Sequence, residues 1–235
     1  MVGNKKLLAI IPARGNSKRL PRKNILDLAG KPLIAWTIEV ALGAKYIDRV
    51  IVSTDNLDIA NISKKYGADV PFMRPSKLAT DEATSIDVVL HLLGQLEEIG
   101  EHYDYIIFLQ PTSPLRTTQN IEESIELLQA RSSDAVISVC ESEYPPHLCN
   151  TLPNDMSMKH FLDPSIINKR SQDLPEQYRI NGAIYVGSIE KFKNENSFFL
   201  SENCHAYIMN QNISVDIDTK NDFDLALMKI KGLVS

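Results

Sequence analysis

Residues 7–13 (Leu-Leu-Ala-Ile-Ile-Pro-Ala) are continuously apolar and rich in branched side chains, the pattern of a strand covered on both faces in a parallel sheet. A polar, basic stretch follows at 14–24. Pro32 then opens residues 33–44, where Leu33, Ile34, Ile38, Ala41 and Leu42 recur at helical spacing behind a proline in a favoured first-turn position. Residues 49–54 read as the next strand and 55–66 as the next helix, stopped by Gly67. The alternation continues with a short strand near 70–73, a helix over 84–99, a strand over 105–110, a helix over 118–131 and a strand over 135–140. From Glu141 to Arg179 the period lapses in a stretch holding Pro145, Pro146, Pro153, Pro164 and Pro175. An irregular run of that length within a domain implies a use, such as a lid or an arm to another subunit. Strands at 182–187, 206–209 and 214–218 and a helix over 221–231 complete the pattern.

This order predicts an α/β fold, an open, mostly parallel, twisted sheet with helices on both faces. It occupies one domain over residues 1–235, with 141–181 as a lid or an arm. Ligands of such sheets bind beyond the carboxyl ends of the strands, which places Arg14, Asp55, Arg74 and Gln110 on one rim.

Composition narrows the class. Hydrophobic residues make up 43% and charged residues 23% of the 235, so a core is available and wholesale disorder is excluded. Cys140, Cys149 and Cys204 form no CxxC pair, which argues against a disulfide framework and a zinc ribbon and suits a reducing cytoplasm. The net charge is −5, yet residues 1–26 carry seven basic side chains and no acid, leaving −12 for the remainder. An acidic body repels a nucleic-acid backbone, so the positive stretch is sized for a small polyanion. Lys5 and Lys6 before an apolar run imitate a signal peptide, but Pro12 and Arg14 cut that run short. No run is long enough to span a bilayer.

Three segments carry candidate chemistry. The loop 13–24 offers Gly15 for close backbone approach, the Ser17 hydroxyl and the cations Arg14, Lys18, Arg19, Arg22 and Lys23, a setting suited to phosphate chains. It is neither a GxxxxGK[ST] loop nor a GxGxxG fingerprint. Asp216-Ile-Asp218 places two carboxylates on one side of an expected strand. Alone they read better as a solvated strand face; beside a polyphosphate loop they suit Mg²⁺. Gln110 ends an expected strand and turns a two-way hydrogen-bonding amide into the crevice. The five histidines show no ligand spacing, and no nucleophile elbow is present.

Together, Ile11-Pro-Ala-Arg-Gly-Asn-Ser-Lys-Arg-Leu-Pro-Arg-Lys-Asn24, Gln110-Pro-Thr-Ser-Pro-Leu-Arg116, Asn181-Gly-Ala-Ile-Tyr185 and Asp216-Ile-Asp218 resemble the acylneuraminate cytidylyltransferases, in the family's order along nearly the whole chain. The resemblance implies a Rossmann-like nucleotidyltransferase fold joining CTP to a nine-carbon 2-keto acid sugar, with Mg²⁺, to give the CMP-sugar and pyrophosphate. It implies that Arg14, Gly15, Ser17, Lys23 and Asn24 form the CTP loop and that Arg74 is a nucleotide-side arginine. Gln110, Arg170, Tyr185, Phe198 and Phe199 would face the sugar, although one extra residue before Leu174-Pro175 unsettles the register at Arg170. Asp216 and Asp218 would hold the metal. It further implies a homodimer, or a dimer of dimers, whose 141–181 arm reaches the neighbour's site. Arg19, where many sialic acid enzymes carry glycine, leaves legionaminic and pseudaminic acid open as substrates. A Kdo cytidylyltransferase, a metal-dependent glycosyltransferase and an inactive nucleotide-binding regulator are the weaker alternatives.

Overall fold

In the computed structural model, which describes residues 4–144, 146–167, 169–170, 173–199 and 202–234, the first apolar run forms strand β1 (Leu7–Pro12), buried up to its last residue. A small hairpin follows, β2 (Asp27–Leu28) and β3 (Lys31–Pro32), and then α1 (Leu33–Leu42), β4 (Arg49–Ser53), α2 (Leu57–Lys65) and α3 (Ser85–Glu98). The chain continues through β5 (Tyr105–Phe108), α4 (Thr118–Ala130), β6 (Ala135–Glu141), β7 (Tyr178–Ser188), α5 (Ile189–Glu195), β8 (Cys204–Ile208) and α6 (Lys220–Ile230). Helix starts follow local chemistry. Thr84, Thr117 and Thr219 each close a capping box with the residue three positions on, which satisfies backbone N–H groups that the first turn leaves unpaired.

The main sheet has the order β4-β1-β5-β7-β6-β8. β1 pairs in parallel with β4 and β5, and β6 with β8, while β7 runs antiparallel to both its neighbours. The sheet is thus mixed but mostly parallel. The chain leaves β1 for β4 on one side and returns to β5 on the other, so the loops after these strands open a crevice at their carboxyl ends.

Alternate residues of β1 feed opposite layers. Leu7, Ala9 and Ile11 pack with Ile34 and Ile38 of α1, Ile59 of α2 and Ile121 and Ile125 of α4. Leu8 and Ile10 pack with Val89, Leu92, Leu93 and Leu96 of α3 and Phe192 of α5. A third, smaller core joins Leu20, Leu28, Leu33, Ile217, Phe223 and Ala226. That last cluster ties the basic loop near the start of the chain to the acidic segment near its end.

The structure corrects several expected elements. Residues 70–73 form no strand; only the isolated bridges Ile51 to Asp69 and Thr54 to Met73 occur, since Pro71 lacks the donor a ladder needs. The strand expected over 105–110 stops at Phe108, which leaves Gln110 in the following loop. The segment 214–218 is not a strand either: it leaves a 3-10 turn (Gln211–Ile213), and Ile217 N–H bonds the carbonyl of the Thr112 loop at 2.8 Å. β7 begins at Tyr178, four residues before the expected start, so the irregular segment is the long connection between antiparallel neighbours β6 and β7. Ser142 N–H to the Gln177 carbonyl, at 2.8 Å, closes its base. Pro145, Asn168, Ser171 and Gln172 of this segment lie outside the described residues. α5 was not expected, because Ile189 and Phe192 are its only buried positions. No helix among the described residues is long and apolar enough to cross a membrane.

Candidate functional site

The loops after β1 and β5, the connection between α2 and α3 with the start of α3, and the segment 216–218 enclose a cavity of about 580 Å³. Its wall includes Arg14, Ser17, Lys18, Arg19, Lys23, Asn24, Arg74, Thr80, Asp81, Gln110, Thr112, Asp216 and Asp218. Five cations against three carboxylates give this wall a positive balance inside a chain of net charge −5. Such a pocket draws anions and raises their local concentration.

The loop after β1 is anchored rather than free. Gly15 N–H donates to Asp55 Oδ1 at 2.9 Å, and a Cβ there would come within 2.9 Å of Asn56 Cβ, so the loop approaches the start of α2 as only glycine permits. The Gly15 N–H is therefore committed to Asp55, and Gly15 is not part of the cavity wall. Asn24 is buried and donates from Nδ2 to the Arg14 carbonyl at 3.0 Å. It holds the backbone that aims Arg14. Lys23 Nζ donates to the Ile217 carbonyl at 2.5 Å and to Asp218 Oδ1 at 3.1 Å, and Arg19 Nη1 reaches Asp218 Oδ2 at 2.9 Å. The loop and the acidic pair thus meet in one place.

Asp216 and Asp218 flank the fully buried Ile217 and both open onto the cavity. Enclosure by protein raises the Asp216 carboxyl above its ordinary range, and the neighbouring Asp218 adds to this while the Thr112 hydroxyl opposes it. Two hard oxygen donors facing a phosphate-sized cavity match a divalent ion that takes its other ligands from phosphate and water. No group of three or more such ligands occurs among the described residues.

Elsewhere in the lining, Arg14 Nη1 donates to Asp81 Oδ1 at 2.8 Å and to the Thr80 carbonyl at 3.2 Å, and Lys18 also pairs with Asp81. Lys18 first and then Arg14 hold the Asp81 carboxyl below the usual range. Arg74 is buried, its backbone N–H bonded to the Thr54 carbonyl at 2.8 Å. Its Nε and Nη2 have no hydrogen-bond partner among the described residues, and Asp55 lies 3.7 Å from Nη2. Burial lowers the pKa of this guanidinium, with Arg14 adding repulsion and Asp55 opposing.

Gln110 projects towards a bulge in β7, where the register against β6 shifts between Ile137 and Val139. Ser138 Oγ and the buried Asn181 stitch the bulge, and Asn181 Nδ2 continues to Ser214 Oγ at 3.0 Å. Gly182 sits in the bulge with φ +73°, and a Cβ there would lie 2.7 Å from Gln110 Oε1. Gly182→Ala is expected to cost about 1–2 kcal/mol of stability from left-handed backbone alone and to push Gln110 aside. Urea unfolding checks this, and an unchanged midpoint would show that the bulge relaxes without cost.

Of the expected sugar-side residues, Gln110 lines the cavity, whereas Arg170, Tyr185, Phe198 and Phe199 do not. Tyr185 and Phe198 pack with Phe108 and Phe192 in an aromatic cluster, with ring centroids 4.7–6.2 Å apart. Phe199 is exposed, and Arg170 lies in the segment between β6 and β7. The sequence places a helix from about Thr84 but gives no role to Asp81 or to the first residues of that helix, which line the cavity. The Thr84-x-x-Asp87 capping box was the one available signal.

Residues 8–233 match the family model described as Cytidylyltransferase. The chain is 35% identical over 226 residues to the pseudaminic acid cytidylyltransferase of Campylobacter jejuni, covering 96% of this chain and 97% of that protein. It is 36% identical over 223 residues to the CMP-N,N'-diacetyllegionaminic acid synthase of Legionella pneumophila, covering 94% of each. Against the N-acylneuraminate cytidylyltransferase of Escherichia coli O18:K1:H7 it is 39% identical over 224 residues, 94% of this chain and 51% of that protein. Among solved structures, a CMP:2-keto-3-deoxy-manno-octonic acid synthetase complexed with CTP superposes with a TM-score of 0.71 at 18% identity, over 97% of this chain and 100% of that one.

Proposed function

The chain belongs to the cytidylyltransferase family, and on that premise we propose that it activates a nonulosonic acid of the sialic acid type with CTP, releasing pyrophosphate and the CMP-sugar. The observation that carries this reading is the contact of the basic loop with the acidic pair, Lys23 Nζ to Asp218 Oδ1 at 3.1 Å, inside a cavity lined by four further cations. Pseudaminic, legionaminic and N-acylneuraminic acid enzymes stand at 35–39% identity, so overall similarity does not choose among the sugars.

In the proposed reaction the anomeric hydroxyl of the sugar attacks the α-phosphorus of CTP in line and gives up its proton to solvent, the bond to the bridging oxygen breaks, and pyrophosphate carries away the electron pair. Positioning and charge stabilisation do most of the work in such a transfer. Arg14 and Lys18 face the leaving phosphates. Lys23 holds Asp218 in place and lends its charge where loop and carboxylate meet, and Arg74 offers Nε and Nη2 to the nucleotide. Gln110 would face the sugar from the cavity wall, and Arg170, Tyr185, Phe198 and Phe199, which lie off that wall, would reach it only as the proposed arm and sugar pocket close around the substrate. Asp216 and Asp218 would hold a divalent cation, Mg²⁺ by their chemistry, which when bound offsets charge on the phosphate oxygens.

We assign the active form as a homodimer, working in the cytoplasm. Its arm exposes Tyr144, Leu148, Leu152, Met156, Met158 and Ile167, an apolar set suited to cover by a second copy.

The deciding assay mixes CTP with sialic, legionaminic and pseudaminic acid in turn and follows pyrophosphate. Release with one of them is the expected result; release with none, or consumption of a ready-made nucleotide-sugar, overturns the reading. A second expectation concerns Asp81, which occupies the cations that phosphate would take. Asp81→Asn is expected to tighten CTP binding about two- to fivefold at low salt, the scale of an exposed ion pair. Calorimetry checks this, and weaker binding would make Asp81 a nucleotide contact instead of a stand-in for phosphate.

A further inference from the structure

Outside the cavity wall lies a more deeply buried cation. Arg116 ends the loop after β5 and is 1% exposed. Its Nη1 donates to the Gln110 carbonyl at 3.3 Å and to the Ala183 carbonyl at 2.6 Å, and its Nη2 to Thr37 Oγ1 at 2.8 Å. Among the described residues Nε has no partner and no counter-charge stands by it, and burial lowers the guanidinium to about 9, still charged at neutral pH. A buried charge without an anion is costly, and a neutral side chain would make a cheaper loop anchor. What the guanidinium adds is a rigid planar fork whose donors reach several acceptors at once.

Those acceptors lie on three elements, the Gln110 loop, the β7 bulge and α1. The first carries Gln110, and the second lies between Gln110 and the acidic segment: Gln110 Oε1 and Asp216 Oδ2 lie 2.7 and 3.8 Å from the point where a Gly182 Cβ would stand, and Asn181 of the bulge donates to Ser214 of that segment. A change in the spacing of loop and bulge therefore moves Gln110 relative to the acidic pair.

We propose that Arg116 is a positioning residue for the acceptor sugar, its fork holding the Gln110 loop against the β7 bulge and α1 so that the Gln110 amide is presented beside Asp216. The proposal rests on the reading of Gln110 as a sugar contact. It assigns Thr37, a buried residue in the middle of α1, a part in the same device.

The test uses Thr37→Val, which removes only the Nη2 acceptor, and Arg116→Lys, which keeps the charge and loses the fork, each alone and combined with Gln110→Ala. Both single variants are expected to raise KM for the sugar acid about three- to tenfold, with the Kd for CTP measured without sugar unchanged. In the Gln110→Ala background Thr37→Val is expected to have no further effect on that KM. Effects that simply add, or equal loss of CTP affinity, overturn the proposal and leave Arg116 a loop anchor. If Arg116→Lys does not fold, the Thr37→Val cycle decides alone. The side-chain amide resonances of Gln110 in the substrate-free protein are the readout independent of turnover. They are expected to shift in Thr37→Val, and unmoved resonances overturn the positioning role even if the wild-type protein releases no pyrophosphate with any sugar acid, a result that would instead count against the proposed reaction.

Discussion

Replacing Asp218 by alanine is expected to lower kcat for pyrophosphate release about 10²- to 10³-fold, the scale for removing one preorganised group that meets transition-state charge. Asp218 stands where the two ends of the chain meet, taking Lys23 Nζ at 3.1 Å and Arg19 Nη1 at 2.9 Å. With only Asp216 beside it, loss of Asp218 removes half of the carboxylate pair proposed for the cation. Lys23 is 12% exposed at its side chain and keeps the Ile217 carbonyl as acceptor, so the fold is expected to survive with a modestly lower Tm. Asp218→Asn should be similarly slow, because it keeps the shape and loses the charge. The measurement is continuous pyrophosphate detection at saturating CTP and sugar with added Mg²⁺, and undiminished turnover would take the carboxylate out of the mechanism.

Arg74→Met is expected to weaken CTP binding about ten- to 150-fold while leaving Tm unchanged or slightly raised. The affinity figure follows from charge-assisted hydrogen bonds worth about 1.5–3 kcal/mol at 1.4 kcal/mol per tenfold. The stability figure has a separate cause. The Arg74 side chain is 4% exposed, its Nε and Nη2 are unpartnered, and Asp55 stands no closer than 3.7 Å. A guanidinium held in that way is a cost to the empty protein, and an apolar side chain of similar length removes it. Calorimetric titration of CTP paired with thermal unfolding separates the two effects. Unchanged affinity with a lowered Tm would show that Arg74 serves only as a tie to Asp55.

The reciprocal pairing of the cavity charges also explains how so many cations tolerate one another before any phosphate arrives. Asp81 takes Arg14 and Lys18, Asp218 takes Arg19 and Lys23, and each pair is at least partly open to solvent at one partner. Such pairs are weak, so a triphosphate can displace them at small cost.

Much of this was legible in order along the chain. The continuous apolar run of β1, the helical spacing of α1 and the capping threonines of α3, α4 and α6 are local consequences of side-chain chemistry, and they put the basic loop at a strand's carboxyl end without reference to anything distant. Charge counting alone separated the cationic start of the chain from its acidic remainder. Strand alternation predicts that the acidic pair faces one way; both carboxylates line the cavity, but no strand is present to put them there. Ile217 is pinned in the small core with Leu20 and Phe223 and bonded to Thr112, and it is this anchoring, not strand alternation, that turns both neighbours outward.

What the sequence by itself determined is therefore the succession of elements and the chemical character of each loop, because propensity, period and capping act over a few residues. Only the tertiary structure decided which charges meet, that β7 runs antiparallel and bulges at Gly182, that Asp81 answers Arg14, and that Arg116 lies beneath the site with no anion beside it among the described residues. Those facts come from packing between residues up to about two hundred positions apart, where burial and the spacing of whole layers, rather than local preference, fix which side chains can touch.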